Sequence, residues 1–233
     1  MKLGILEAGR PPATLSSYGS YADMFRDLFG ANTYEYKVFD VQSGDFPDDV
    51  SACPAYLVTG SACGVYDHLP WIPQLMAFLR KAKGSAALVG ICFGHQIMAE
   101  AFGGKVIRSP KGWGAGAQRY EVWRPQPWTG AQRAITLPAS HQDQVVALPP
   151  GAAVVAGNGF APYGMLAYSD QPAISLQLHP EFSQDYAVAL TEIKRGQGMR
   201  DEDVDHALVT LDQPLDRAVA AGWIGTFLAN AAA

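Results

Sequence analysis

Gly90-Ile91-Cys92-Phe93-Gly94-His95-Gln96 sets a thiol between two glycines, where an apolar stretch (85–92) gives way to a helical pattern (95–104). A nucleophile on a sharp strand-to-helix turn needs small residues two positions before and after it, because the backbone packs closely there. Gly90 and Gly94 meet that need. The helix N-terminus behind the turn brings partial positive charge to the sulfur, which favours the nucleophilic thiolate. Its free N–H groups, that of Phe93 first, suit a developing oxyanion. The competing reading is that Cys92 is a small buried apolar residue, as free cysteines commonly are. Spacing alone leaves both open. Cys53 and Cys63 lack the glycine pair and the following helix, and read as ordinary structural thiols.

A thiolate nucleophile also needs a base that returns a proton to the leaving group, and a partner that orients the base. Of the five histidines, His68 and His206 lie in polar or amphipathic stretches and read as solvated. His95 falls inside the helix and reads as a residue facing out or packing locally. His141 sits in the polar loop SHQDQV. His179 differs, because it ends the apolar run AISLQL and is followed by Pro180 and Glu181. Proline biases the residue before it toward extended geometry. In an extended segment positions i and i+2 point the same way. Glu181 can then accept from one imidazole nitrogen and leave the other to face a thiol. A plain surface turn is the alternative.

The elements that must position these groups follow from the periodicity. Apolar runs at 2–9, 34–41, 54–60 and 85–92 read as strands. Between them, 20–30 and 71–83 have helical spacing; Gly30 stops the first, and Arg80, Lys81 and Lys83 complement the end of the second. This order implies an α/β fold with an open, mostly parallel sheet covered by helices on both faces. Short strands at 117–123, 134–137, 152–157, 164–169 and 173–178, punctuated by Pro and Gly, read as an antiparallel meander, a small antiparallel sheet beside the main one. Helical patterns at 186–196, 203–211 and 217–231 follow. The expected organisation is one domain over 1–233, with 184–233 a helical extension packed on it.

Composition narrows the function classes. The chain of 233 residues is 48% hydrophobic and 17% charged, which supports a sizeable core. A net charge of −5 with no basic stripe argues against a nucleic-acid partner. No apolar run reaches the ~20 residues of a membrane span, and no secretory signal is visible at MKLGILEAGR. Three cysteines at spacings that fit no zinc motif argue against a metal site and a disulfide framework, and point to the reducing cytoplasm.

Taken together, GICFGHQ and LQLHPEF are far more specific than either alone. The sequence resembles the class I (triad-type) glutamine amidotransferases, whose signature is a G-x-C-x-G-x-Q elbow with a downstream H-P-E. Segments 57–65, 111–122 and 140–149 also look like the family's oxyanion loop and glutamine pocket. The resemblance implies a flavodoxin-like fold and no cofactor. It implies that Cys92 attacks the γ-carbonyl of glutamine or another γ-glutamyl compound, with His179 as general base and acid and Glu181 as its orienter. The oxyanion donors would be the backbone N–H groups of Phe93 and of Ser61, where the family usually has a second glycine. Gly60 and Gln96 would contact the substrate, with His141 and Gln142 at its α-amino and carboxylate end.

Three functions remain at this point. CFGHQ and a helical tail look like the small stand-alone members similar to the glutaminase domain of GMP synthetase and to plant γ-glutamyl peptidases. Only 52 residues follow Glu181, too few for an ATP-using domain, and no phosphate loop is present. The expectation is therefore a hydrolase of a small-molecule γ-glutamyl substrate. A glutaminase subunit feeding ammonia to a separate synthetase partner is the second reading. A non-catalytic binding module is the third, disfavoured by a complete triad. In 217–231, Val219, Trp223, Ile224, Phe227 and Leu228 share one stripe, which packs on the sheet or, alternatively, forms a homodimer or partner surface.

Overall fold

A computed structural model describes residues 1–231. Its strands are β1 (Lys2–Glu7), β2 (Glu35–Asp40), β3 (Ala55–Val58), β4 (Ala87–Ile91), β5 (Lys105–Arg108) and β6 (Gly114–Val122). They continue as β7 (Ala134–His141), β8 (Asp143–Ala147), β9 (Ala152–Gly157), β10 (Met165–Tyr168) and β11 (Ala173–Leu176). The helices are α1 (Tyr21–Phe29), α2 (Trp71–Ala82), α3 (Phe93–Ala101), α4 (Gln184–Ile193), α5 (Asp201–Leu211) and α6 (Arg217–Ala231). The last two residues of the expected tail, 232–233, lie outside the described residues.

Nine strands form one sheet in the order β2-β1-β3-β4-β11-β10-β9-β6-β7, and β5 pairs with β8 in a separate two-stranded sheet. From β2 to β11 every pairing is parallel. Strands buried on both faces read as continuous apolar runs, because each face meets a helix layer. Successive side chains point to opposite faces. Leu3, Ile5, Leu57 and Val89 therefore pack with α1 and α6, including Phe25, Trp223 and Ile224. Leu6, Tyr56, Val58 and Leu88 pack the other way, against Leu75 and Leu79 of α2 and Ile97 of α3. The stripe expected in α6 is buried at Trp223, Ile224, Phe227 and Leu228. Among the described residues, no helix is long and apolar enough to cross a membrane.

Three local readings differ from the structure. The segment 173–178 is more than a meander strand: β11 pairs antiparallel with β10, as expected, and on its other side lies parallel to β4. Periodicity cannot see this, because a short apolar run carries no record of its partner. SHQDQV is not a loop: His141 ends β7 and Asp143 opens β8. Helix α3 begins at Phe93 rather than His95, because the turn at Cys92 is tight enough to start the helix with the next residue.

Candidate active site

The site forms where β3, β4 and β11 end side by side. All three run parallel, so their carboxyl ends share one edge of the sheet, where open α/β folds bind ligands. Val58 is level with Gly90, and Leu176 with Ile91. The first residues beyond those ends are the Gly60–Ser61 loop, Cys92 and the segment carrying His179.

Cys92 has φ 52° and ψ −102°. Among the described residues it alone combines positive φ with a side chain. Such backbone costs of order 1–3 kcal/mol and persists only where the surroundings impose it. Close backbone contacts impose it. A Cβ on Gly90 would sit 2.5 Å from the Gly94 carbonyl oxygen, and one on Gly94 would collide with the Val58 carbonyl. The Cys92 N–H donates to the Leu176 carbonyl at 2.8 Å, tying the elbow to β11. Phe93 opens α3, so its N–H has no acceptor within the helix.

His179 and Glu181 are both buried, and Nδ1 of the ring donates to Glu181 Oε1 at 2.7 Å. The ring stacks on Phe182 with centroids 3.9 Å apart and planes 6° from parallel. Burial alone would push the imidazolium down. The charges of Glu181 and Cys92, with their hydrogen bonds, outweigh it and hold the ring's pKa up at about 10. Nε2 is thereby left for the sulfur side. Gly60 lies against this pair: a Cβ there would be 3.0 Å from His179 Cε1 and 3.8 Å from Cys92 Cβ. Its lack of a side chain is thus a fit to the ring.

Cys92 stands where two cavities meet. One, of about 390 Å³, is polar and is lined by Ser61, Gln96, Arg108, His141, Gln142 and Asp143, among others. The other, of about 230 Å³, extends past His179 between apolar side chains. Gln96 lines the first, but its amide nitrogen is committed to the Asp143 carbonyl (2.9 Å) and to Gln177 Oε1 (3.1 Å). His141 is buried, its Nδ1 at 3.1 Å from the Asp143 carbonyl, and burial pushes its pKa down to about 4. Asp143 accepts from the Tyr66 hydroxyl at 3.0 Å.

The other candidates separate. His68 and His206 are exposed. His95 packs locally, fully buried, with Nδ1 2.8 Å from Ser175 Oγ. Cys53 lies in the core, where burial pushes its thiol up. Cys63 lines the polar cavity with Cys92, a proximity that nothing in its local sequence signals. Residues that the sequence reading missed are Gln177, Arg108, Asp143 and Lys194, which come to the site from β-strand ends and the helical tail. Phe182 was visible only as the last letter of HPEF.

Comparison with known proteins gives the family. The family model "Glutamine amidotransferase class-I" matches residues 14–187. A glutamine amidotransferase-like protein of Schizosaccharomyces pombe is 28% identical over 243 residues, covering 97% of this chain and 98% of that one. Gamma-glutamyl peptidase 5 of Arabidopsis thaliana is 29% identical over 178 residues, covering 72% of this chain and 70% of that one. The crystal structure of a glutamine amidotransferase from Thermotoga maritima superposes with a TM-score of 0.77 at 18% identity, over 98% of this chain and 97% of that one. The chain belongs to the class-I glutamine amidotransferases.

Proposed function

We propose that the protein hydrolyses γ-glutamyl amides through a cysteine thioester. Cys92 Sγ attacks the γ-carbonyl carbon, and charge builds on the carbonyl oxygen beside the backbone N–H groups of Phe93 and Ser61. The C–N bond breaks as the His179 imidazolium gives its proton to the departing nitrogen, so ammonia or an amine leaves. Water then attacks the thioester, gives a proton to His179, and releases glutamate and the thiolate. Glu181 holds the ring in orientation and stabilises its protonated form. Gln96, His141 and Gln142 surround the glutamyl half in the polar cavity, where Arg108 and Asp143 match its carboxylate and ammonium, and Gly60 borders the reacting carbonyl beside Cys92 and His179.

One observation carries this reading: the thiol on a strained elbow and the imidazole held by Glu181 stand at the ends of adjacent parallel strands. A module that only binds needs neither the strain nor the pair. The name of the plant relative, a gamma-glutamyl peptidase, supports hydrolysis of the free substrate. The test is to mix the purified chain with glutamine or a γ-glutamyl peptide, quench with acid, and map peptides. A glutamyl adduct on Cys92, absent in Cys92→Ala, is the expected result. No adduct and no glutamate release would refute the reading. Slow release that rises only with an added synthetase would replace it with the ammonia-delivering subunit.

A further inference from the structure

The two cavities that meet at Cys92 differ in chemistry, and His179 lines only one of them. Because the ring delivers its proton to the departing nitrogen, the leaving group must lie on the ring's side of the sulfur. The glutamyl half then takes the polar cavity. We infer that the cavity past His179 is a leaving-group site for one amino acid with an apolar side chain and a free carboxylate. This inference rests on the γ-glutamyl hydrolase reading above.

The walls support the apolar part. Pro12, Tyr21, Phe182 and Leu190 line the cavity, drawn from the β1–α1 connection, the start of α1, the turn after Glu181 and α4. Tyr21 and Phe182 stand with ring centroids 5.9 Å apart. At about 230 Å³ the space is below the ~300–1,000 Å³ of typical ligand pockets. It suits one side chain rather than a peptide, and ammonia would leave it empty.

Lys194 supports the carboxylate. It lines both cavities, as Cys92 does. It lies 4.0 Å over the Trp113 ring and has no carboxylate partner among the described residues. Burial pushes its pKa down, and the charge of Cys92 offsets this only in part. Arg10, the other cation on this cavity's wall, is already paired with Asp40 at 2.5 Å. In a γ-glutamyl dipeptide the carboxylate is two bonds from the scissile nitrogen, which brings it to the junction. In a longer peptide an uncharged amide takes that place.

The experiment compares kcat/KM of the full chain on γ-Glu-Phe, γ-Glu-Gly, γ-Glu-phenylalaninamide and glutamine. A charged hydrogen bond of about 1.5–3 kcal/mol makes γ-Glu-Phe better than its amide by about tenfold or more. Lys194→Met should erase that preference, lowering γ-Glu-Phe far more than glutamine. Leu190→Trp, which fills the cavity, should lower γ-Glu-Phe and spare γ-Glu-Gly; melting curves establish that both variants fold. Equal rates on γ-Glu-Phe and its amide, or a Lys194→Met loss shared by all four substrates, would overturn the site. If glutamine acylates Cys92 while γ-Glu-Phe is inert, the leaving-group site fails and the hydrolase reading stands. If no γ-glutamyl compound acylates Cys92, both fail.

Discussion

Arg217, the first residue of α6, donates from Nη2 to the backbone carbonyl of Glu181 at 3.1 Å and from Nε to that of Pro180 at 3.0 Å. One guanidinium from the helical tail thus clamps the turn that aims the His179–Glu181 pair. Two charge-assisted bonds in a half-buried setting contribute on the order of 2 kcal/mol. Arg217→Ala should lower turnover by about tenfold with little change in KM, since the clamp acts on the ring and not on the substrate. Arg217→Lys should recover it only in part, because an ammonium cannot span both carbonyls. Steady-state kinetics on folded variants checks this; wild-type kcat in Arg217→Ala would remove the clamp from the mechanism.

The elbow predicts an inverted stability order. Alanine is ordinarily favoured over glycine by roughly 0.5–1 kcal/mol. At Cys92, with φ 52°, only glycine avoids strain of about 1–3 kcal/mol. Cys92→Gly should therefore be more stable than Cys92→Ala in urea, while both lack activity. The reverse order would mean the elbow is not strained.

Alkylation should follow geometry rather than cysteine count. A glutamine-like electrophile should label Cys92 first, Cys63 on the wall of the same cavity second, and buried Cys53 last. Peptide mapping over time reads the order. Equal labelling of the three would count against an activated Cys92.

Gly60→Ala tests the packing of the Gly60–Ser61 loop on the ring. The added methyl would lie 3.0 Å from His179 Cε1, so ring or loop must shift by a few tenths of an ångström. Because misplacement by about 1 Å can cost 10²-fold, turnover should fall by roughly tenfold while the melting temperature changes little. Glu181→Gln should likewise slow turnover and leave a residue of activity, since orientation is a partial effect.

The histidines set opposite pH edges. Burial pushes His95 and His141 down from 6.5, to about 3 and about 4. The unfolded chain takes up protons below about 6.5 that the folded one refuses, so stability falls as pH drops from there toward 4. His179 is raised to about 10. Its contribution is complete below 6.5 and is lost as pH rises through about 10. Urea midpoints should peak near neutrality, and turnover should fall on the alkaline side as the imidazolium proton leaves. Midpoints that stay level from pH 6.5 to 4.5 would contradict the buried, neutral state of His95 and His141.

What the sequence by itself determined was local. Gly90 and Gly94 around Cys92 announce the elbow because close backbone packing is a property of adjacent residues. Pro180 between His179 and Glu181 announces the pair because extended geometry puts i and i+2 on one side. The apolar runs announce strands buried on both faces, and the stripe in 217–231 its buried side. Only the tertiary structure decided which strands are neighbours. Placing β11 beside β4 brings together Cys92 and His179, 87 positions apart, and no periodicity records that choice, because the pairing depends on the whole sheet. The same holds for Arg217, Lys194 and Gln177. Their side chains carry no local signature, and they matter only because the end of α4, the start of α6 and the end of β11 converge on the same site.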